Sequence, residues 1–298
     1  MNIVILSRGP GLYSTQSLFQ EGLRRGHHMR IVDHVRCSIV VEKGRPQVYY
    51  EGERLHTIDA IIPRIGASVT TKGAAIIRQF EMMKVFSSVS SEALLKSRDK
   101  LRCLQLLGMA NLGIPKTVYS DYSQNISKLI DAVGGLPVVI KLLEGTHGLG
   151  VILAETRNTA ESVIETFNRL KERIIIQEFI KESKGADVRV FIINGEIVAS
   201  MKRTAAPGEF RSNLHRGASS VTVDLSKAEA KTALQAVEIL GLDVAGVDML
   251  QSNRGPLILE VNPSPGLEGI SKTSGINVAA DIFNFIEEKV KENRRAGF

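Results

Sequence analysis

The sequence predicts an α/β protein of three successive units, and three observations carry that reading. Residues 1–95 alternate short aliphatic strands with helix-like stretches, the pattern of an open α/β sheet. In the middle, a buried strand carrying a lysine runs into a glycine-rich loop. Near the end, two aliphatic strands joined by a short polar turn carry acids at facing positions.

In the first unit, residues 3–6 read as a buried strand and residues 15–25 as an amphipathic helix stopped by Gly26. Residues 28–32 form a second strand, 48–50 and 52–55 a small hairpin, and 60–63 another strand. Residues 74–83 have helical spacing. The second unit opens at Lys96-Ser97-Arg98-Asp99-Lys100 with a helix through Leu107, ended by Gly108 and Gly113-Ile114-Pro115. Strands at 138–142 and 174–180 flank a helix at 160–170. The third unit holds strands at 188–193 and 196–201 joined by Asn194-Gly195, a favoured two-residue hairpin turn. A helix at 227–240, the acid-bearing hairpin and a helix at 279–292 complete it.

The chain has 298 residues, and 43% hydrophobic content supports real cores. No run approaches the roughly 18 apolar residues of a membrane span. The N-terminus has no basic lead-in and no cleavage pattern, so no signal peptide is expected. Cys37 and Cys103 lack ligand-like spacing, and a reducing cytoplasm is the expected setting. A formal charge of +6 favours acidic partners: nucleic acid, anionic membrane, ATP or acidic peptides. The Lys and Arg residues are scattered, Trp is absent and no nucleic-acid-binding motif appears. Neither a direct nucleic-acid partner nor a membrane partner is expected.

The richest stretch is Leu257-Ile258-Leu259-Glu260-Val261-Asn262-Pro263-Ser264-Pro265-Gly266. Asp248 lies twelve residues before Glu260, and Ser252-Asn253-Arg254-Gly255 reads as the turn between them. A turn centred on Arg254 sets Asp248 opposite Glu260, and alternation puts Asn262 on the same face. Like charges facing across a hairpin are destabilising unless something neutralises them. Oxygen donors without sulfur or imidazole suit a hard cation such as Mg²⁺, which often holds phosphates.

Pro137-Val138-Val139-Ile140-Lys141 followed by Gly145-Thr146-His147-Gly148-Leu149-Gly150 has the makings of a phosphate site: an ammonium, and glycines that let backbone N–H groups approach oxygens. It matches neither the P-loop, nor kinase order, nor the dinucleotide fingerprint. Taken alone it reads equally as a surface lysine and a mobile hairpin tip. Residues 174–180 read, taken alone, as a core strand with a flanking acid; beside the other pieces they would line a pocket, the backbone at Glu178 and Phe179 able to pair with an adenine edge and Asp187 at a reach suited to ribose hydroxyls. Arg211-Ser212-Asn213-Leu214-His215-Arg216-Gly217 offers either a clamp for phosphate or carboxylate, or a solvated basic loop. His147 and His215 are not read as metal ligands.

In this order, the strand lysine, glycine loop, pocket strand, basic loop and Asp…Glu-x-Asn hairpin resemble the ATP-grasp superfamily over the whole chain. Within it the chain is similar to the RimK family of ribosomal-protein glutamate ligases. That likeness rests on Pro63-Arg64-Ile65-Gly66, Arg78-Gln79-Phe80-Glu81, Ser97-Arg98-Asp99-Lys100, Glu144-Gly145-Thr146, residues 210–217 and Asn262-Pro263-Ser264-Pro265-Gly266-Leu267-Glu268-Gly269. The resemblance implies an ATP-grasp fold with an N-terminal pre-ATP-grasp α/β domain. Residues 1–97 would form that domain, 98–177 a small ATP-grasp subdomain with the glycine loop, and 178–298 a large subdomain with the metal site.

It also implies roles. Lys100 and Lys141 contact ATP phosphates, the Glu178–Phe179 backbone reads adenine, and Asp187 binds ribose. Arg211, Ser212 and Asn213 reach the nucleotide phosphates, Arg211 and Asn213 acting in catalysis. Asp248, Glu260 and Asn262 hold two Mg²⁺ or Mn²⁺ ions, with Glu260 bridging. Arg203, read as following a strand, binds the acylphosphate or the acceptor carboxylate. The glycine loop closes over ATP. One departure from the family is Ala218 after Gly217, where many relatives have paired glycines.

The implied reaction is ATP-dependent addition of L-glutamate, through an acylphosphate, to the acidic C-terminus of a small-subunit ribosomal protein. Poly-α-glutamate synthesis and a homotetramer are implied as well. Two alternatives stand beside it. One is an ATP-grasp amino-acid ligase acting on a biosynthetic carrier protein or cofactor, and the other is a non-catalytic nucleotide-binding regulator.

Overall fold

The computed structural model describes residues 1–120, 125–144 and 150–296. Its first unit contains β1 (Asn2–Leu6), α1 (Tyr13–Arg24), β2 (His28–Val32), β3 (Cys37–Val40), β4 (Gln47–Tyr50), β5 (Glu53–Leu55), β6 (Ala60–Pro63), α2 (Thr70–Met82) and β7 (Phe86–Ser87). The order β2-β1-β6-β7 makes a parallel sheet. Strand β1 is buried on both faces, Val4 and Leu6 toward one core and Ile3 and Ile5 toward another. That is why it reads as an unbroken aliphatic run and not as an alternation. Strands β3–β4–β5 form a separate antiparallel sheet. The sequence reading found its β4–β5 hairpin and missed β3, two of whose four residues are polar or cysteine.

Helices α3 (Ser91–Arg98) and α4 (Lys100–Met109) replace the single expected helix over 96–107. Asp99 separates them. Its backbone is extended (φ −77°, ψ 98°), and its carboxylate accepts the Arg102 N–H at 3.0 Å, so it caps α4. Four strands follow, β8 (Thr117–Tyr119), β9 (Val138–Leu142), β10 (Val151–Ala154) and β11 (Ile174–Glu178), interleaved with α5 (Ile126–Ala132) and α6 (Arg157–Arg169). They assemble as β10-β9-β11-β8, all antiparallel.

The last unit is a five-stranded antiparallel sheet, β14-β13-β12-β15-β16. Its elements are β12 (Ala186–Ile193), β13 (Glu196–Thr204), β14 (Ser219–Thr222), α7 (Lys227–Leu240), β15 (Val244–Ser252), β16 (Gly255–Asn262), α8 (Leu267–Ser274) and α9 (Val278–Arg295). Asn194 and Gly195 both have positive φ (50° and 74°), as the two central positions of a type I′ turn require. Val188, Val190 and Ile192 face the core shared with α7, and Phe191 and Ile193 face the one shared with α9. Outer strand β16 is joined from outside the sheet, the Ile258 N–H donating to the Gly113 carbonyl at 2.8 Å. A Cβ on Gly113 would lie 2.4 Å from the Pro256 carbonyl oxygen, so only glycine permits this approach.

The two ends of the chain meet through α1 and α9. Glu21, 6% exposed, accepts from Arg24 and Arg25 at 2.6 and 2.7 Å, and Arg25 also donates to Asn284 and to the Ala280 carbonyl. Hydrogen bonding to Arg24 outweighs burial and, with Arg25, pulls the Glu21 carboxyl down to about 2. A depressed acid stabilises the fold above its unfolded pKa and loses that contribution as pH falls through the folded value. We therefore expect Glu21→Gln to cost about 1–2 kcal/mol at pH 7 by denaturant titration, nearer the lower figure because Arg24 is solvated. The gap to the parent should close as pH is lowered from about 4.5 to about 2.

Candidate active site

Three units converge on one cleft of about 860 Å³, lined among others by Ser14, Arg64, Lys141, Phe179, Arg211 and Glu260. Its floor is the cleft end of the five-stranded sheet, and strand register lays charged residues across it. Arg203 pairs with Asp187, and Arg189 pairs with Asp248, which pairs in turn with Glu260.

Asp248 does face Glu260, by a different route from the one expected. The turn is Asn253-Arg254, because Ser252 pairs with Gly255. Continued unbroken, that register would set Leu259 opposite Asp248. A β-bulge at Leu259 absorbs the offset, so Met249 pairs with Ile258 and Asp248 with Glu260. The bulge also leaves both Leu259 and Glu260 lining the cleft.

Asp248 is 6% exposed. Arg189 donates to it through Nε and Nη2 at 2.7 and 2.6 Å, and Arg203 adds a third bond at 2.9 Å. Burial alone would raise the Asp248 carboxyl, but Arg189 and Arg203 hold it at about 2. Asp187 accepts from Nε and Nη2 of Arg203. Burial and the neighbouring Asp248 charge push its carboxyl up, while Arg203 and Ser212 oppose them. Arg203 does not follow a strand, because β13 runs on through Thr204. Its guanidinium is 3% exposed and joined to two aspartates, so it acts on the cleft through Asp187 and Asp248.

Glu260 is exposed to the cleft, and its charge acts on Arg98, Lys100 and Lys141. Asn262 accepts the Ser264 N–H at 3.0 Å through Oδ1, which fixes the amide while leaving that oxygen a further lone pair. Among the described residues no three His, Cys, Asp or Glu side chains gather as a metal cluster. The donors are two carboxylates and an amide, with one acid held ionised by buried arginines. This fits a magnesium-type ion, which takes one or two carboxylates and completes its shell with water and phosphate oxygens.

The Lys100 ammonium donates to the Leu143 carbonyl at 2.6 Å. Burial lowers Lys141 to about 8, the nearby Lys100 adding to that and Glu260 opposing it. Glu178 commits its N–H to the Lys116 carbonyl and its carboxylate to the Lys116 N–H and Arg254, and Phe179 lines the cleft just beyond the strand end. Arg211 lies against Glu209, with Nε and Nη2 donating at 2.9 and 2.7 Å, and Ser212 and Asn213 line the same wall. Gly217 carries the positive φ of this loop (83°) and Ala218 carries none, so the departure from paired glycines introduces no strain. Residues 145–149, assigned to the glycine loop, and the Arg216 side chain lie outside the described residues.

The sequence reading assigned no role to Arg64, Arg98 or Arg189. For Arg189 there was a signal, a charged residue inside the aliphatic strand Val188-Arg189-Val190. Arg64 and Arg98 come together only through the fold.

Two predictions follow from the geometry. Arg203→Leu leaves Asp187 and Asp248 facing each other with one arginine fewer, and should cost about 3–5 kcal/mol in denaturant unfolding. Affinity of the cleft for an anion such as pyrophosphate should decline as pH rises above about 8, where free Lys141 loses its proton. Calorimetry on Lys141→Arg, which stays charged, should show that decline removed.

A RimK-like ATP-grasp domain model matches residues 97–286 and a RimK PreATP-grasp domain model matches residues 1–94. The chain is 53% identical over 294 residues to a probable alpha-L-glutamate ligase of Syntrophotalea carbinolica, covering 99% of this chain and 98% of that one. The structure is similar to the ATP-grasp ligase PsnB complexed with a precursor variant, Mg and ADP (TM-score 0.74, 17% identity, 96% and 97% of the two chains). It is also similar to D-alanine–D-alanine ligase from Bacillus anthracis complexed with ATP (TM-score 0.69, 18% identity, 100% of both chains). At these identities the two structures establish the ATP-grasp fold, and the matches across both segments establish that the chain belongs to the RimK-like ATP-grasp family, with its pre-ATP-grasp domain at the N-terminus.

Proposed function

We propose that this protein is an ADP-forming α-L-glutamate ligase that extends an acidic C-terminus, that of a small-subunit ribosomal protein or a glutamate peptide. The carrying observation is the cleft itself. An oxygen-only donor set, Asp248, Glu260 and Asn262, faces a bank of half-buried cations that includes Lys100 and Lys141. This is the charge arrangement that phosphoryl transfer to a carboxylate needs. Full-length identity of about half to relatives named as probable alpha-L-glutamate ligases supports the choice of amino acid.

In this reading the acceptor carboxylate attacks the γ-phosphorus of ATP, the bond to the bridging oxygen breaks, and ADP leaves. The amine of glutamate then attacks the acyl carbon, loses a proton and expels phosphate, forming the amide. Bound Mg²⁺ or Mn²⁺ would neutralise phosphate charge and orient the oxygens. Asp248, Glu260 and Asn262 would hold two such ions. Lys100 and Lys141 would steady the transferring phosphoryl group, with Arg211, Ser212 and Asn213 along the phosphates. The strand end at Glu178–Phe179 would receive the base, Glu178 through its carbonyl, and Asp187 the ribose. Arg203 keeps Asp187 and Asp248 in place. The net positive charge fits an acidic acceptor. A cytoplasmic homotetramer making runs of α-linked glutamate completes the proposal.

The test is mass spectrometry after incubation with ATP, Mg²⁺, glutamate and a peptide ending in Glu-Glu, with nucleotides followed in parallel. Whole glutamyl additions matched by ADP are expected. ADP without peptide extension would send the acceptor assignment elsewhere, and no nucleotide turnover would overturn the ligase reading. Glu260→Ala should lower turnover by at least about a hundredfold, while residual turnover within a few-fold of the parent would remove Glu260 from the metal site.

A further inference from the structure

Two half-buried guanidiniums line the cleft, and among the described residues neither has a counter-charge bonded to it. Arg64 follows β6 and donates through Nη2 to the Pro265 carbonyl at 2.7 Å. Arg98 ends α3 and donates through Nη2 to the Ile65 carbonyl at 2.8 Å. The Nε of Arg98 is buried with no hydrogen-bond partner. Among the described residues no carboxylate hydrogen-bonds to either guanidinium, although each offers five N–H donors. Burial lowers both below the usual arginine range, Arg64 to about 10 with the Arg98 charge adding to the effect. Two partly desolvated cations, one within reach of the other's charge and neither paired with an anion, are costly, and a bound anion offsets that cost.

Position narrows the anion. Glu260 acts on Arg98, Lys100 and Lys141, while Arg64 feels the Arg98 charge. Arg64 follows β6 of the first unit and Arg98 closes α3, so the two guanidiniums enter the cleft from the first unit and the helix that follows it. In the ligase reading the lysines take the phosphates. Guanidiniums bind carboxylates bidentately through a planar fork, and the ammoniums act as point charges better suited to the mobile phosphoryl group.

We propose that Arg64 and Arg98 form a carboxylate clamp for the incoming amino acid, and that the two guanidiniums together select an amine donor carrying two carboxylates. This rests on the ligase reading for the identity of the amine. The fold makes the clamp respond to the metal hairpin, because Arg64 grips the Pro265 carbonyl in the loop that leaves Asn262.

The experiment has two parts. Initial rates are measured with glutamate varied at saturating ATP and peptide, for the parent, Arg64→Gln, Arg98→Gln and Arg64→Lys. Glutamine, which lacks the side-chain carboxylate, serves as the competing amine donor. Binding of glutarate, a dicarboxylate without an amine, is measured by calorimetry in the presence of a non-hydrolysable ATP analogue. Each Gln variant should raise the glutamate KM at least about tenfold, with nucleotide-analogue affinity kept within a few-fold as the check on folding. At least one Gln variant should discriminate less between glutamate and glutamine than the parent does, and Arg64→Lys should recover only part of the loss. Peptide extension with unchanged glutamate KM in both Gln variants overturns the clamp and leaves the ligase reading standing. Glutarate bound by the parent and lost in both Gln variants, without glutamyl product, upholds the clamp while the ligase reading fails. A parent that neither binds glutarate nor discriminates against glutamine overturns the clamp.

Discussion

Asp248 and Glu260 face each other across one hairpin, and the rest of the cleft is arranged around that repulsion. Two carboxylates at a cross-strand pair oppose folding unless positive charge is near. Here the charge comes from the sheet itself. Arg189 sits on the neighbouring strand at the position paired with Asp248, and Arg203 reaches in from one strand further. Buried ion pairs of this kind contribute little net stability, because desolvation offsets the attraction. What they do here is hold Asp248 ionised in a place where burial would otherwise protonate it. Glu260 is left without a bonded partner in the sheet, its carboxylate turned to the cleft, and the cations it sees are on other units. One strand pair thereby joins a fixed negative charge to an available one.

The sheet's own cleft arginines are bonded to its aspartates, and further cations come from the chain before it. The five-stranded sheet contributes Asp187, Asp248, Glu260 and Asn262, and the chain before it contributes Arg64, Arg98, Lys100 and Lys141. ATP-dependent ligation places polyanions between such surfaces, so substrate charge completes what protein charge leaves open. The helix break at Asp99 serves this arrangement. It ends α3 at Arg98 and begins α4 at Lys100, so two consecutive helices deliver adjacent cations to the same cleft.

Much of this was legible in the sequence where local rules decide the outcome. The Asn194-Gly195 turn, the α7 helix and the buried β1 strand follow from turn chemistry, capping and hydrophobic runs. The Asp248–Glu260 pairing was foreseen from a turn of the wrong centre, and a bulge at Leu259 restored it. Sequence spacing cannot separate a shifted turn from a bulged strand, because both move the register by one residue. The ion pairs were not legible. Which arginine meets which aspartate depends on strand order β13-β12-β15, and no local pattern encodes neighbours that lie sixteen or fifty-nine residues apart. The same holds for Arg64 and Arg98, which the fold brings to one cleft.

Strand β16 carries Glu260 and stands at the margin of its sheet, where backbone donors ordinarily invite another chain. Here the carbonyl of Gly113 takes the Ile258 N–H. The connector leading from α4 toward β8 thus closes over part of that margin. The lone hydrogen at position 113 is what lets the two backbones touch, so the residue best placed to guard this protein against edge-to-edge association is one with no side chain at all.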